Sequence, residues 1–228
     1  MDMIIDAASE LMPAGMAGRS PEAKMSWSGA LCNAMDSVTE LVNLHCPVDP
    51  KSSLPVSRAL FNMDQTSVFW GMGKRSTVDF VGAPTVRSTT NDSEGYRCTM
   101  ALTIAADGRV LPSHFVYNGA PGGDVEREVS AFFLADVATF SVQECAWFDD
   151  RVMLEWIDKS WKPDVVEPCV PILDILAVHK KSEVADALAC TGTAVIYVPG
   201  GCTGVAQPLD VGIMSPLKQH IRRLNTTK

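Results

Sequence analysis

Several features that define whole classes of protein are missing from this sequence of 228 residues. No apolar run approaches the roughly 20 residues that a membrane-spanning helix needs, and the acidic start of the chain lacks the cationic region of a secretion signal. The glycines and prolines show no periodic repeat, which excludes a collagen. We therefore expect a soluble, globular, intracellular protein that is neither secreted nor inserted in a membrane.

Metal-binding cysteine patterns are absent as well. The 7 cysteines are scattered along the chain, and none forms a C-x-x-C pair or has a histidine at zinc-finger spacing. Such cysteines are typical of buried, reduced thiols. We expect no structural zinc site.

Positive charge is scarce, with 19 Lys and Arg against 27 Asp and Glu and a net charge of −8. Binding to nucleic-acid phosphates needs clustered Lys and Arg, so a broad basic surface is excluded. The tail is the exception, because residues 215–228 contain four bases and no acid. Lys218, Arg222 and Arg223 form either a solvated helix face or a set of contacts with the DNA backbone. We expect this chain alone to bind DNA weakly.

The chain divides near residue 57. Residues 1–57 hold seven acids, three bases and the loop-forming stretch CPVDPKSSLP, which predicts a divergent helical arm and a linker. From residue 58 onward the pattern changes to strands. Runs rich in β-branched and aromatic residues predict strands at ALFNMD, STVDFVG, PTVRST and RCTMALTIAADGRVLPSHFVYNG. The Asp107-Gly108 pair in the last run indicates a hairpin turn.

Helices alternate with buried strands in the second half of the chain. In RVMLEWIDKSW, Met153, Trp156, Ile157 and Trp161 share one apolar face, so this helix is expected to pack on a sheet. The strand VPILD, the helix KKSEVADALACTG with Gly192 as its C-terminal cap, and the strand TAVIYVP follow. A last helical segment runs from Asp210 to Leu224. These elements predict an α/β fold with a mixed sheet flanked by helices.

Further predictions concern a proline, three tryptophans and a loop. Pro216 interrupts the last segment, and Ser215-Pro216 predicts a turn followed by a new helix. Trp147, Trp156 and Trp161 are assigned to the core rather than to a platform for base stacking. The PGGCTG loop either approaches a phosphate through its backbone N–H groups or only turns a strand into a helix.

Three aspartates lie where predicted elements begin or end. Asp64 ends the first strand, Asp174 ends a later buried strand, and Asp210 lies on the apolar stripe of the last helix. Ligands of open α/β sheets collect beyond the carboxyl ends of strands, and three converging carboxylates suit Mg²⁺ or Mn²⁺. Aspartate is also common at such positions as a cap, so the pattern alone does not select these three among the 27 acids.

The sequence motifs around these aspartates resemble those of a known family. ALFNMDQT is similar to the first motif of the DDE superfamily endonucleases of the pogo, Tigger and Jerky type, and ILDILAVH is similar to their second motif. VIYVPGGCTGVAQPLDVGIMSPLK resembles the third motif. The resemblance covers about residues 58–224 in collinear order, and its most specific part runs from Thr203 to Gly212. The 35 residues between Asp174 and Asp210 also fit the family.

The resemblance implies an RNase H-like fold with Asp64, Asp174 and Asp210 as a catalytic triad that holds two Mg²⁺ or Mn²⁺ ions. It implies cleavage and strand transfer of phosphodiester bonds in DNA. His179, which matches a histidine of the second motif, has either a role next to the metal ligands or a structural one, and Gln207 is a second candidate for a role next to the ligands. The resemblance also implies DNA as partner, with a homodimer as one assembly, and a nuclear location.

Departures from the family pattern keep alternatives open. Gln65 replaces a common Glu, Ile175 replaces the usual Asn, and the family's upstream DNA-binding domain is not recognisable in residues 1–57. The chain ends soon after the third motif, which predicts a core truncated at its C-terminus. One alternative is a domesticated or degenerate relative that binds nucleic acid or partners without catalysis. Another is an unrelated α/β domain, in which the three carboxyls would lie far apart.

Overall fold

The computed structural model describes residues 39–51, 53, 55–69, 97–131, 137–165 and 168–226. Within these residues the strands form one six-stranded sheet in the order β4-β3-β2-β1-β5-β6. The strands are β1 Leu60–Phe69, β2 Arg97–Ala105, β3 Ser113–Asn118, β4 Ala138–Gln143, β5 Val170–Leu173 and β6 Ile196–Tyr197. The predicted strands STVDFVG and PTVRST lie outside the described residues.

Helical elements connect and cover the strands. They are α1 Asp124–Ser130, α2 Asp150–Trp156, α3 Ser182–Ala189, α4 Thr203–Ala206 and α5 Met214–Thr226. Helix α2 continues as a π-helical turn, Ile157–Trp161, and a second π-helical turn, Leu209–Ile213, leads into α5. Short 3-10 turns lie at Ser57–Ala59 and Ala177–Lys180, and a further helical stretch spans residues 39–45.

The sheet is mixed, as predicted. Strand β2 is antiparallel to both of its neighbours, whereas β1 is parallel to β5, β5 to β6, and β3 to β4. The carboxyl ends of β1, β3, β4, β5 and β6 therefore meet at one edge of the sheet. The predicted hairpin joins β2 to β3, and its Gly108 has a φ of 91°, a conformation that favours glycine.

One face of the sheet packs on α2 and α3. Phe61 and Met63 project from β1 into this core, where the ring centroid of Phe61 lies 5.0 Å from that of Trp161. Met153, Trp156, Ile157 and Trp161 are all buried, which confirms the predicted apolar face. Val42 and Cys46, from the stretch predicted as arm and linker, also contribute to this core.

Helix α3 ends as its sequence predicts. Gly192 has a φ of 70°, the left-handed conformation that glycine adopts without steric cost. The Thr193 N–H donates to the Leu188 carbonyl (3.2 Å), and the Gly192 N–H donates to the Ala189 carbonyl (3.0 Å). This pair of bonds is a Schellman motif, which satisfies two carbonyls at the helix end.

The opposite face packs on the C-terminal helix. Leu209 and Met214 are buried against Met100 and Leu102 of β2. The prediction that Pro216 separates a turn from a new helix is wrong, because helical structure runs without a break from Leu209 to Thr226. Proline lacks the N–H that would bond the carbonyl four residues earlier, and the wider π-helical turn just before α5 accommodates that loss.

Other predictions need correction. Asp64 does not end the first strand but lies in its middle, since β1 continues to Phe69. Strand β4 and the short helix α1 were not predicted. Strand β4 gives a weak signal, because it is a short run with polar residues at alternate positions. Trp147 is not in the core, for its side chain is 62% exposed, whereas Trp156 and Trp161 are fully buried as predicted.

The described cysteines are all free thiols. Four are buried as expected, but Cys145 and Cys190 are exposed. Burial raises the pKa of Cys98 to about 11, which keeps that thiol protonated and unreactive. No helix among the residues that the structure describes is long and apolar enough to cross a membrane.

Candidate active site

Asp64 lies on the central strand of the sheet, on the face that the C-terminal helix covers. Its neighbours on that face, Asn62 and Thr66, are buried as well, and Asp64 itself is only 8% exposed. The N–H of Gln65 donates to Asp64 Oδ1 over 2.8 Å. A long central strand covered on both faces therefore holds a carboxylate in a place that water hardly reaches.

Asp210 contacts Asp64 from the π-helical turn that leads into α5. Burial, the negative charge of Asp210 and a hydrogen bond between the two carboxyls together raise the pKa of Asp64 to about 7, and burial contributes most. The charge of Asp174 also raises the pKa of Asp64, by a smaller amount, while the hydrogen bond from the Gln65 N–H lowers it. Asp210 is exposed rather than buried on the apolar stripe where the sequence predicted it.

Asp174 follows β5 directly, as predicted. The parallel ladder ends with the pair Asn62 and Ile172, and each aspartate lies two residues further along the chain, which brings Asp174 close enough to Asp64 for their charges to interact. Its Oδ1 lies 2.7 Å from Nδ1 of His179, whose side chain is only 1% exposed. Burial raises the pKa of Asp174, but the hydrogen bond and charge of His179 outweigh burial, so the net pKa is lowered.

His179 connects Asp174 to Gln65. Its Nε2 lies 2.9 Å from Nε2 of Gln65, and its backbone carbonyl accepts a hydrogen bond from the Tyr197 hydroxyl over 2.6 Å. If the Gln65 amide donates, Nε2 accepts and the imidazole proton lies on Nδ1, where it faces Asp174. Gln65, at the position where a Glu is common, is thus joined to the second motif through His179.

Two buried amides tie the third motif to β1. Asn62 Oδ1 accepts a hydrogen bond from the Leu209 N–H over 2.8 Å, and Asn62 Nδ2 donates to the Ile172 carbonyl over 2.9 Å. Gln207 Nε2 donates to the Met63 carbonyl over 3.3 Å, and its Oε1 is buried without a partner. Asn62 was not among the predicted site residues, because its only signal was a polar residue inside the otherwise apolar run ALFNM.

The structure brings the carboxyls of Asp64 and Asp210 together and places Asp174 within electrostatic range of Asp64. Asp64 and Asp210 share a hydrogen bond, whereas Asp174 is paired with His179. Across the described ranges, no group of three or more His, Cys, Asp or Glu side chains is arranged to hold a metal ion. The residues nevertheless fit a divalent cation, since two adjacent carboxylates that repel each other present hard oxygen ligands and gain from a positive charge.

The other predicted features lie nearby. Lys218, Arg222 and Arg223 belong to α5, the helix that follows the Asp210 turn, and they lie about 12–20 Å along it from Asp210. Lys218 and Arg222 are half-buried, and Arg223 is exposed. The PGGCTG loop connects β6 to the four-residue helix α4, and Gly201 in this loop has a φ of 80°.

The profile of the DDE superfamily endonucleases matches residues 96–228, which is more than half of the chain. The chain belongs to this family. Asp174 and Asp210, the second and third members of the predicted triad, lie inside the matched region.

Curated relatives carry the name of a transposable element. The pogo transposable element with KRAB domain of Mus musculus is 26% identical over 169 residues, 71% of this chain and 26% of the relative. The human protein of that name matches equally well, and the human pogo transposable element with ZNF domain is 27% identical over 129 residues, 55% of this chain and 9% of the relative. This DDE-family chain thus spans about a quarter or less of the curated relatives it matches.

A solved structure supports the fold. The Mos1 transposase paired-end complex with left transposon end superposes with a TM-score of 0.51 at 12% identity, covering 96% of this chain and 56% of that one. At such low identity the likeness concerns the fold alone. The DDE-family chain has the RNase H-like fold, a mixed sheet flanked by helices, as predicted.

Proposed function

We propose that this chain contains the catalytic core of a DDE-type transposase or endonuclease that cleaves phosphodiester bonds in DNA and joins strands. The observation that carries the proposal is the hydrogen-bonded pair of Asp64 and Asp210, within electrostatic range of Asp174. These aspartates come from three separate motifs. Carboxylates placed so close together destabilise the empty site, which is the arrangement expected of ligands for divalent cations.

Each residue has a distinct task in this proposal. Asp64, Asp174 and Asp210 would hold two Mg²⁺ or Mn²⁺ ions. Such ions supply activation of the attacking water or 3′-hydroxyl and stabilisation of the leaving oxygen. Bound cations would favour the charged form of Asp64 and so would lower its pKa. His179 orients the Asp174 carboxylate, and Gln65 holds the imidazole from its other side.

DNA is the proposed substrate and partner. The Mos1 neighbour was solved with a transposon end, and the basic residues of α5 lie on the same helix that follows Asp210. Contacts of Lys218, Arg222 and Arg223 with the backbone would add affinity that depends on salt. A homodimer and a nuclear location belong to the same proposal, since DNA transposition joins two ends and acts on the genome.

Nicking of supercoiled plasmid by the full chain in Mn²⁺ tests the proposal. We expect cleavage by the wild type, none by Asp174→Ala, and undiminished cleavage by Asp158→Asn, which removes a carboxylate whose side chain is 72% exposed on the turn after α2. Equal activity in wild type and Asp174→Ala would contradict the assigned site. Chelation with EDTA should stop the wild-type reaction.

A second candidate is a transposase-derived domain that binds nucleic acid or partners without catalysis. The pairing of Asp174 with His179 and the amide at Gln65 favour it, because both reduce the charge available to a cation. This candidate predicts DNA binding without cleavage, and calorimetry would then detect no Mn²⁺ binding that depends on Asp64 or Asp210.

A further inference from the structure

Asn62 makes two long-range hydrogen bonds from one buried side chain. It lies on β1 and is 4% exposed. Its amide nitrogen donates to the Ile172 carbonyl of β5 at 2.9 Å, and its amide oxygen accepts from the Leu209 N–H at 2.8 Å. The two partners lie 110 and 147 residues further along the chain, so the amide joins three distant segments.

Each of these three segments carries one of the aspartates. Asn62 lies two residues before Asp64, Ile172 lies two residues before Asp174, and Leu209 lies one residue before Asp210. We propose that Asn62 is a positioning residue that sets the spacing of the three carboxylates. It lies next to Asp64 on β1 and hydrogen-bonds the backbone just before Asp174 and just before Asp210. The inference rests on the proposed function insofar as the carboxylates bind metal.

The chemistry of the site requires an amide. One group must donate to a carbonyl and accept from an N–H at the same time, which a carboxylate, a hydrocarbon or a short hydroxyl cannot do in this geometry. A buried N–H or carbonyl left unpaired costs about 1–3 kcal/mol, so both neighbours favour the bonded arrangement. Gln207 adds a bond from the third motif to the Met63 carbonyl, but that bond does not reach β5.

The bond from Asn62 also fixes the helical turn that carries Asp210. The Leu209 N–H belongs to the first turn of the π-helical segment, where N–H groups lack partners within the helix. Asn62 supplies that partner and holds the turn on β1. Asn62 thereby keeps the residue next to Asp210 in place beside β1.

Asn62→Leu tests the inference, because leucine has a similar volume and neither hydrogen-bonding group. Mn²⁺ affinity is measured by calorimetry, and exchange of the Leu209 amide is measured by NMR in metal-free protein. We expect Mn²⁺ affinity to fall by about 10- to 100-fold, as for other groups that orient metal ligands, and Leu209 protection to be lost. Thr103→Val is the control, since it removes a buried hydroxyl on neighbouring β2 and should leave both readouts unchanged.

Asn62→Ser covers the case in which the leucine variant does not fold, because serine stays polar but is too short to reach both partners. Wild-type affinity and wild-type Leu209 protection in either folded variant would overturn the inference. Rapid exchange of the Leu209 amide in the wild type would overturn it as well. If the wild type binds no Mn²⁺, the proposed function fails, and Leu209 exchange in the variants still decides whether Asn62 holds the third motif on β1.

Discussion

Two polar networks on the same sheet differ in how their charges are balanced. In the active-site network, Asp64 and Asp210 repel each other and Gln207 Oε1 has no partner. The second, which we call the His114 network, lies between β3, β4 and α2 and consists of His114, Thr139, Ser141, Glu155 and Ser160. There, His114 Nδ1 and Nε2 lie 2.7 Å and 2.8 Å from the hydroxyls of Thr139 and Ser141.

The charges of the His114 network are compensated within the protein. Burial lowers the pKa of His114 to about 3, so the ring is neutral, and the Lys159 charge acts in the same direction while Glu155 opposes it. Burial raises the pKa of Glu155, but bonds from Lys159 and Ser141 and the charges of Lys159 and Arg151 lower it overall. The polar groups of the His114 network are thus paired with one another, whereas among the described residues the adjacent carboxyls of Asp64 and Asp210 have no positive charge between them.

The largest expected difference is catalytic. Asp210→Asn should reduce plasmid nicking by about 10³-fold, because metal ligation contributes several kcal/mol to the transition state. The same variant should raise the melting temperature in EDTA, since it removes repulsion from Asp64. Scanning calorimetry and the nicking assay check both parts. A variant that is inactive and also less stable without metal would contradict the contrast between the two networks.

Breaking the His114 network should have the opposite signature. His114→Leu leaves the Thr139 and Ser141 hydroxyls with fewer partners, at about 1–3 kcal/mol for each group left unpaired. Urea unfolding should show this loss, while the nicking activity per folded molecule should stay within about twofold. His220→Leu on the exposed side of α5 is the control and should change stability by no more than about 0.5 kcal/mol. Unchanged stability in His114→Leu would show that the network contributes nothing to the fold.

The two networks should also respond to pH with opposite sign. Because the folded pKa of Asp64 is raised to about 7, the folded state binds more protons than the unfolded state between about pH 4 and 7, and stability falls as pH rises. The lowered pKa of His114 makes stability fall as pH drops from about 6.5 to 3. Asp64→Asn should therefore gain more stability over the wild type at pH 7.5 than at pH 5, as urea unfolding in EDTA would measure. Equal gains at both pH values would be inconsistent with a raised pKa of Asp64.

The smallest effect concerns added cation. Mn²⁺ at ten times its dissociation constant should stabilise the wild type by about 1.4 kcal/mol through mass action. His114→Leu should retain the same increment, because its network is separate from the carboxylates, and Asp210→Asn should lose it. Thermal unfolding with and without Mn²⁺ measures the three increments. A loss of the increment in His114→Leu would mean that the two networks are coupled.

Local patterns predicted the elements whose signals are local. The apolar face of RVMLEWIDKSW and the Gly192 cap depend on neighbours within a few turns, and both are confirmed. Strand β4 was missed because its polar positions are buried only by α2. Trp147 was assigned to the core because its side chain is large and apolar, but that side chain is exposed. Its backbone N–H donates to Gln143 Oε1 over 2.9 Å, which fixes the loop in this position.

The candidate site shows the same division. Resemblance to the family selected Asp64, Asp174, Asp210 and His179, and the structure places Asp64 next to Asp210 and Asp174 next to His179. It could not predict that Asp174 pairs with His179 while Asp64 pairs with Asp210, because those contacts depend on side-chain geometry. The roles of the three aspartates, of the cations and of Lys218, Arg222 and Arg223 stay predictions.

By itself, the sequence determined the family, the fold class and the order of the three carboxylate motifs, since these are written in residue types at fixed spacing. Tertiary structure decided which carboxylates touch, how burial changes their protonation, and how Asn62 joins their three segments. The physical reason is distance along the chain. Bonds between residues 110 and 147 positions apart leave no local periodicity, and desolvation exists only once the sheet and the C-terminal helix enclose the site.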